Sequence, residues 1–127
     1  MRVTKLHNKG NHLMIDGFSS GKLNDLKFIE KFLLELSKEI KMNVISEPLV
    51  INHVANEELE SGITGTIILA ESNITIHTYP KKKWFALDIY SCKEFEIDST
   101  LNYLINKLKI TKFKKNFFKR GFYDEES

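Results

Sequence analysis

Cysteine is almost absent. Cys92 is the only one in 127 residues, so the chain forms no internal disulfide. That usage fits a reducing cytoplasm, and one cysteine cannot anchor a zinc site. The four histidines fall at no metal-ligand spacing, and no metal is expected. No apolar run is long enough to cross a bilayer. The opening residues Met1-Arg2-Val3-Thr4-Lys5-Leu6-His7 carry positive charge with no apolar segment behind it, so neither a secretory signal nor a membrane partner is expected. There is no phosphate-cradling glycine loop, internal repeat, low-complexity tract or linker. The reading is one domain over residues 1–127.

Neither charge sign dominates. The formal net charge is +2, with 42% hydrophobic and 28% charged residues, the make-up of an ordinary globular chain. The basic residues are uneven. Lys81-Lys82-Lys83 is one cluster, and Lys107 to Arg120 holds another, interleaved with Phe113, Phe117 and Phe118. Basic residues among aromatics raise a nucleic-acid reading. An edge strand that uses lysines against aggregation is preferred, because Asp124-Glu125-Glu126 follows directly and would repel phosphates. No nucleic-acid partner is expected.

The patterning predicts strand, helix, several strands, helix, strand. Residues 12–18 form a short strand and Ser19-Ser20-Gly21-Lys22 a turn. Asn24 or Asp25 caps a helix to about Lys41, with Ile29, Phe32, Leu33, Leu36 and Ile40 on one face. Residues 44–54 read as a strand whose Pro48 suggests an edge or bulge. Residues 56–62 form a polar loop, and strands follow over 63–70, 74–79 and 84–91. A second helix begins after Asp98 or Ser99, and residues 112–119 end the order as a strand. Short turns between successive strands imply an antiparallel sheet with both helices on one face, an α+β layer. The other face is rich in Ile, Leu and Trp, and a second copy is the expected cover.

One polar corner, Glu71-Ser72-Asn73, separates two apolar strands. A serine at such a corner is a plausible reactive position, but by spacing alone an ordinary turn is the preferred reading. His77 alternates away from its apolar neighbours, as structural histidines do. Cys92, at a strand end, reads as a small hydrophobe.

In order along the chain, Gly62-Ile63-Thr64-Gly65, Glu71-Ser72-Asn73, His77-Thr78-Tyr79-Pro80 and Asp88-Ile89-Tyr90-Ser91-Cys92 resemble the signature of the small bacterial and archaeal S-adenosylmethionine decarboxylases. His12-Leu13 followed by Asp16 fits too. The resemblance implies a pyruvoyl-dependent proenzyme that cuts itself between Glu71 and Ser72. Ser72 would attack the Glu71 carbonyl and become the pyruvoyl cofactor, which holds the substrate amine as a Schiff base. Thr64 would be the processing hydroxyl, His77 the processing base and Cys92 the proton donor. Asp16 and Glu71 would face the substrate. The implied product is decarboxylated S-adenosylmethionine, the aminopropyl donor for spermidine. The implied assembly is a homodimer or higher oligomer in which two sheets pair as a four-layer αββα sandwich.

Four positions depart from the family pattern. Thr64 stands for serine, Asn73 for histidine, Asp16 for glutamate and Lys81 for the glutamate that would accept bonds from the substrate ribose. Lysine has no acceptor. Lys81 therefore opens arginine or ornithine as alternative substrates, with Asp16, Glu57, Glu58 or Glu60 as acidic partners. Thr64 and Asn73 open an unprocessed, non-catalytic regulatory homologue.

Overall fold

In a computed structural model, the backbone is described for residues 3–126 and the side chains for residues 9–122. The side chains of the stretch through His7 and of the Asp124-Glu125-Glu126 tail lie outside the described residues. Strands β1 (Val3–Ser19), β2 (Leu49–His53), β3 (Gly62–Ile68), β4 (Ser72–Tyr79), β5 (Trp84–Ser91) and β6 (Ile110–Glu126) form one sheet in the order β2-β3-β4-β5-β1-β6. Every neighbouring pair is antiparallel. Helices α1 (Leu26–Glu39) and α2 (Ile97–Leu108) complete the α+β layer expected from the pattern.

Strict alternation builds the core. Leu13 and Ile15 of β1, Ile63 and Ile67 of β3, Ile74 and Ile76 of β4, and Phe85, Leu87 and Ile89 of β5 are buried, as are Ile29, Phe32, Leu33 and Leu36 of α1. Gly65 sets how close α1 lies. A side-chain carbon there would stand 3.1 Å from Leu33 and 3.2 Å from Ile29, tighter than ordinary packing allows. Asp25, extended at the N-cap, accepts the Phe28 N–H at 3.0 Å, a cap that stabilises by about 1 kcal/mol.

Helix α1 stops abruptly. Lys41 takes the left-handed conformation (φ 60), and the Met42 N–H reaches back to the Ser37 carbonyl at 3.0 Å. This is a Schellman-type stop, and its trailing apolar residue, Met42, is buried. The next residue, Asn43, is thereby aimed at the β3–β4 corner.

Element bounds differ from the pattern where pairing outruns alternation. β1 begins at Val3 and β6 runs to Glu126 because the two strands pair along almost their full length. The strand expected over 44–54 shortens to Leu49–His53. Pro48 lacks an N–H for the ladder, and Val44 makes only an isolated bridge with Leu69. α2 starts at Ile97, after a Glu96 cap that makes no side-chain bond.

Candidate active site

The β3–β4 connection is a two-residue corner, Ala70-Glu71. Leu69 and Ser72 close it by exchanging backbone bonds, Leu69 N–H to the Ser72 carbonyl at 2.8 Å and Ser72 N–H to the Leu69 carbonyl at 3.3 Å. Asn43 grips the corner from outside. Its carbonyl accepts the Ala70 N–H at 2.8 Å. Its own N–H donates to Glu71 Oε1 at 3.1 Å, and its Nδ2 to Oε2 at 2.8 Å. These bonds, the backbone one first, hold the Glu71 carboxyl below its usual range.

From the other side, the backbone N–H of Cys92 donates to the Glu71 carbonyl at 2.9 Å. Cys92 follows the last residue of β5, and its side chain is exposed, unlike the small buried hydrophobe that a strand-end cysteine suggests. Ser72 opens β4 directly opposite Ser91 of β5. Its side chain is buried, and Ser72 Oγ has no hydrogen-bond partner among the described residues. Buried hydroxyls in folded proteins are normally paired, which sets this one apart from the hydroxyl of an ordinary turn. Asn73, next along, points to the opposite face and is exposed.

A second cluster lies further along the same strands. Thr64 and His77 are direct cross-strand partners, and Thr64 Oγ1 lies 3.0 Å from His77 Nδ1. They line a recess of about 300 Å³ with His53, Glu60, Gly62 and Tyr79. Gly62 is required here, since a side-chain carbon would fall 1.7 Å from the Thr78 carbonyl oxygen. Asp16 shares the His77 row, with Ala86 between them in the sheet.

The two clusters do not meet within one chain. His77 lies five positions beyond Ser72 on β4, roughly 16 Å along an extended strand. Their side chains also take opposite faces, Ser72 with buried Ile74 and Ile76, His77 with the exposed side. The predicted machinery is thus divided: Glu71, Ser72 and Cys92 in one cluster, Thr64 and His77 in the other, with Asp16 two strands from His77 and not among the residues lining the recess.

The three-lysine turn is committed to the preceding loop. Lys81 pairs with Glu58 at 3.2 Å and Lys82 with Glu60 at 2.7 Å, and the Lys82 ammonium sits over the Tyr79 ring at 5.4 Å. Glu60 alone of Glu57, Glu58 and Glu60 lines the recess. Asn43 was not foreseen as a site residue. It reaches Glu71 across 28 residues, and no local pattern announces such a contact.

Residues 11–121 match the sequence model of the family described as S-adenosylmethionine decarboxylase. An S-adenosylmethionine decarboxylase proenzyme of Symbiobacterium thermophilum is 32% identical over 85 residues, 65% of this chain and 60% of that protein. The proenzyme of Brevibacillus brevis is 32% identical over 103 residues, 79% of this chain and 73% of the relative. That of Caldicellulosiruptor saccharolyticus is 26% identical over 125 residues, covering 94% of each. The crystal structure of the adenosylmethionine decarboxylase from Aquifex aeolicus is similar with a TM-score of 0.76 and 25% identity, over 95% of this chain and 98% of that one. Ordered motifs, sheet topology and match length agree: this chain belongs to the S-adenosylmethionine decarboxylase family.

Proposed function

We propose that the chain is a proenzyme that cuts itself between Glu71 and Ser72, and that the cut form decarboxylates S-adenosylmethionine. The observation that carries this reading is the buried, unpartnered Ser72 Oγ beside a Glu71 carbonyl already polarised by the Cys92 N–H. That N–H is aimed at the oxygen on which charge develops when Ser72 Oγ adds to the carbonyl carbon. The C–N bond breaks, the hydroxyl proton passes to the Ser72 nitrogen, and an ester joins Glu71 to Ser72. His77, hydrogen-bonded to Thr64, removes the α-proton of residue 72. The Cβ–O bond breaks and Glu71 leaves as a carboxylate. The enamine left at residue 72 takes up water and loses ammonia, giving a pyruvoyl group.

That group supplies an electrophilic ketone able to accept electrons as carbon dioxide departs. It would sit at the start of β4, within the Glu71–Cys92 corner. The exposed Cys92 thiol returns a proton to the substrate α-carbon.

A second copy completes the site. The separation of Ser72 from His77 supports a dimer in which one chain's Thr64–His77 pair serves the other chain's corner. The open sheet face supports it too: Phe18, Leu49, Ile51, Ile68 and Phe118 expose 40% to 60% of their surface there. An apolar face of that kind favours a symmetric partner, giving the αββα sandwich. Within the recess, Glu60 offers the carboxylate acceptor that Lys81 cannot, so the ribose hydroxyls of S-adenosylmethionine find a partner despite the exchange. The single unpaired cysteine suits a cytoplasmic reaction, and the product suits aminopropyl transfer in polyamine synthesis.

Intact-mass measurement after incubation tests the reading. Two fragments divided at Glu71–Ser72 are expected, with Ser72→Ala remaining whole. A wild-type chain that stays whole, or a Ser72→Ala chain that cuts normally, overturns it.

A further inference from the structure

Ser72 Oγ and the Glu71 carbonyl belong to neighbouring residues, so their ring-closing attack is controlled by how the Glu71 carbonyl plane is turned. Small misorientations of reacting groups cost large factors in rate. Ser72 N–H is held only weakly, at 3.3 Å, so the corner's orientation rests on the Leu69 N–H to the Ser72 carbonyl at 2.8 Å, the Cys92 N–H to the Glu71 carbonyl at 2.9 Å, and Asn43. Asn43 supplies three contacts to Ala70 and Glu71, and none to the reacting atoms.

The Glu71 carboxylate is also a hazard to the reaction. It belongs to the residue whose carbonyl becomes an oxyanion, and it is an acceptor able to compete for the nearby Cys92 N–H. Two negative charges on one residue would repel, and loss of the Cys92 donor would leave the developing charge unsupported. With both carboxylate oxygens engaged by Asn43, the Cys92 N–H is left to the carbonyl.

We propose that Asn43 is a positioning residue for self-cleavage: it ties back the Glu71 side chain so that the carbonyl faces Ser72 and keeps the Cys92 N–H to itself. This rests on the assignment of cleavage to Glu71–Ser72. It also gives the buried Met42 a purpose, as the anchor that fixes where Asn43 emerges from the end of α1.

The test follows cleavage of the full chain by intact mass from the moment of synthesis, in wild type, Asn43→Ala, Asn43→Asp, Glu71→Gln and the Asn43→Asp/Glu71→Gln pair. Asn43 is exposed, so these variants should fold, and circular dichroism checks each one. Asn43→Ala loses one charge-assisted bond and should cut about tenfold more slowly. Asn43→Asp sets two carboxylates face to face and should cut more slowly still. The double variant restores a donor opposite an acceptor and should cut faster than Asn43→Asp. A merely structural role would not produce that rescue. If wild type cuts while Asn43→Ala keeps pace, or if Glu71→Gln fails to relieve Asn43→Asp, the tie-back is wrong. If wild type never cuts, the cleavage assignment falls and the tie-back with it.

Discussion

The backbone N–H of Cys92 points at the Glu71 carbonyl oxygen from 2.9 Å while its side chain is exposed, so the amide and the thiol of Cys92 can be tested separately. Cys92→Ala keeps the amide and should cleave normally while losing turnover. Cys92→Pro removes the amide and should slow cleavage about a hundredfold, the usual effect of one missing oxyanion donor. Fragment formation and carbon dioxide release, measured on the same samples, separate the two parts. Normal cleavage in a folded Cys92→Pro chain would remove the amide from the mechanism.

Mixing tests the shared site. Neither Ser72→Ala nor His77→Ala should cut alone. Co-expressed, each supplies what the other lacks, and His77→Ala chains should be cut by the His77 of Ser72→Ala partners. Mass spectrometry distinguishes the two chains. Absence of fragments from the mixture would place Ser72 and His77 in one chain's site after all.

Glu60 is expected to govern substrate affinity. Glu60→Gln keeps the size of the side chain and weakens its acceptor, so KM for S-adenosylmethionine should rise about tenfold with little change in kcat. Glu58→Gln, which alters a carboxylate outside the recess, is the control. Equal KM shifts in both would assign the effect to the loop's overall charge.

On the helical face, Lys107 reaches Glu35 at 2.6 Å, and this bond above all holds the Glu35 carboxyl below its usual range. A carboxyl with a lowered folded-state pKa contributes stability above its unfolded pKa and loses it as pH falls through the folded value. Glu35→Gln should therefore lower Tm at neutral pH by about 2 °C, an amount kept small by solvent screening, and leave Tm unchanged in strong acid. The same Tm difference at both ends of the pH range would rule the pair out as its source.

The fold was legible wherever burial follows a period. Ile29, Phe32, Leu33 and Leu36 announce α1, and alternation through Ile74, Ile76 and Thr78 announces β4, because the same spacing that patterns the sequence decides which atoms meet the core. β1 and β6 were underestimated because β1 pairs with β5 only from Asn11 onward, and its earlier residues are strand through pairing with β6 alone. The candidate residues stand out in the sequence only through their ordered motifs, and their division into two clusters does not show there. Motif spacing measures distance along the chain, and only the pleat reveals that positions 72 and 77 take opposite faces. Asn43 stayed hidden because its partner is set by where a helix happens to stop.

The strand order bears on what becomes of the cut protein. With the proposed cut, β1 would belong to the fragment that ends at Glu71, yet it lies between β5 and β6, both of which the fragment beginning at residue 72 would carry. β4 of the second fragment in turn lies against β3 of the first. The two pieces are interleaved rather than abutted. They can part only by breaking ladders on both sides of β1 as well as the β3–β4 seam. Cleavage should thus leave a nicked protein that survives dilution and column chromatography as one particle, coming apart only in denaturant.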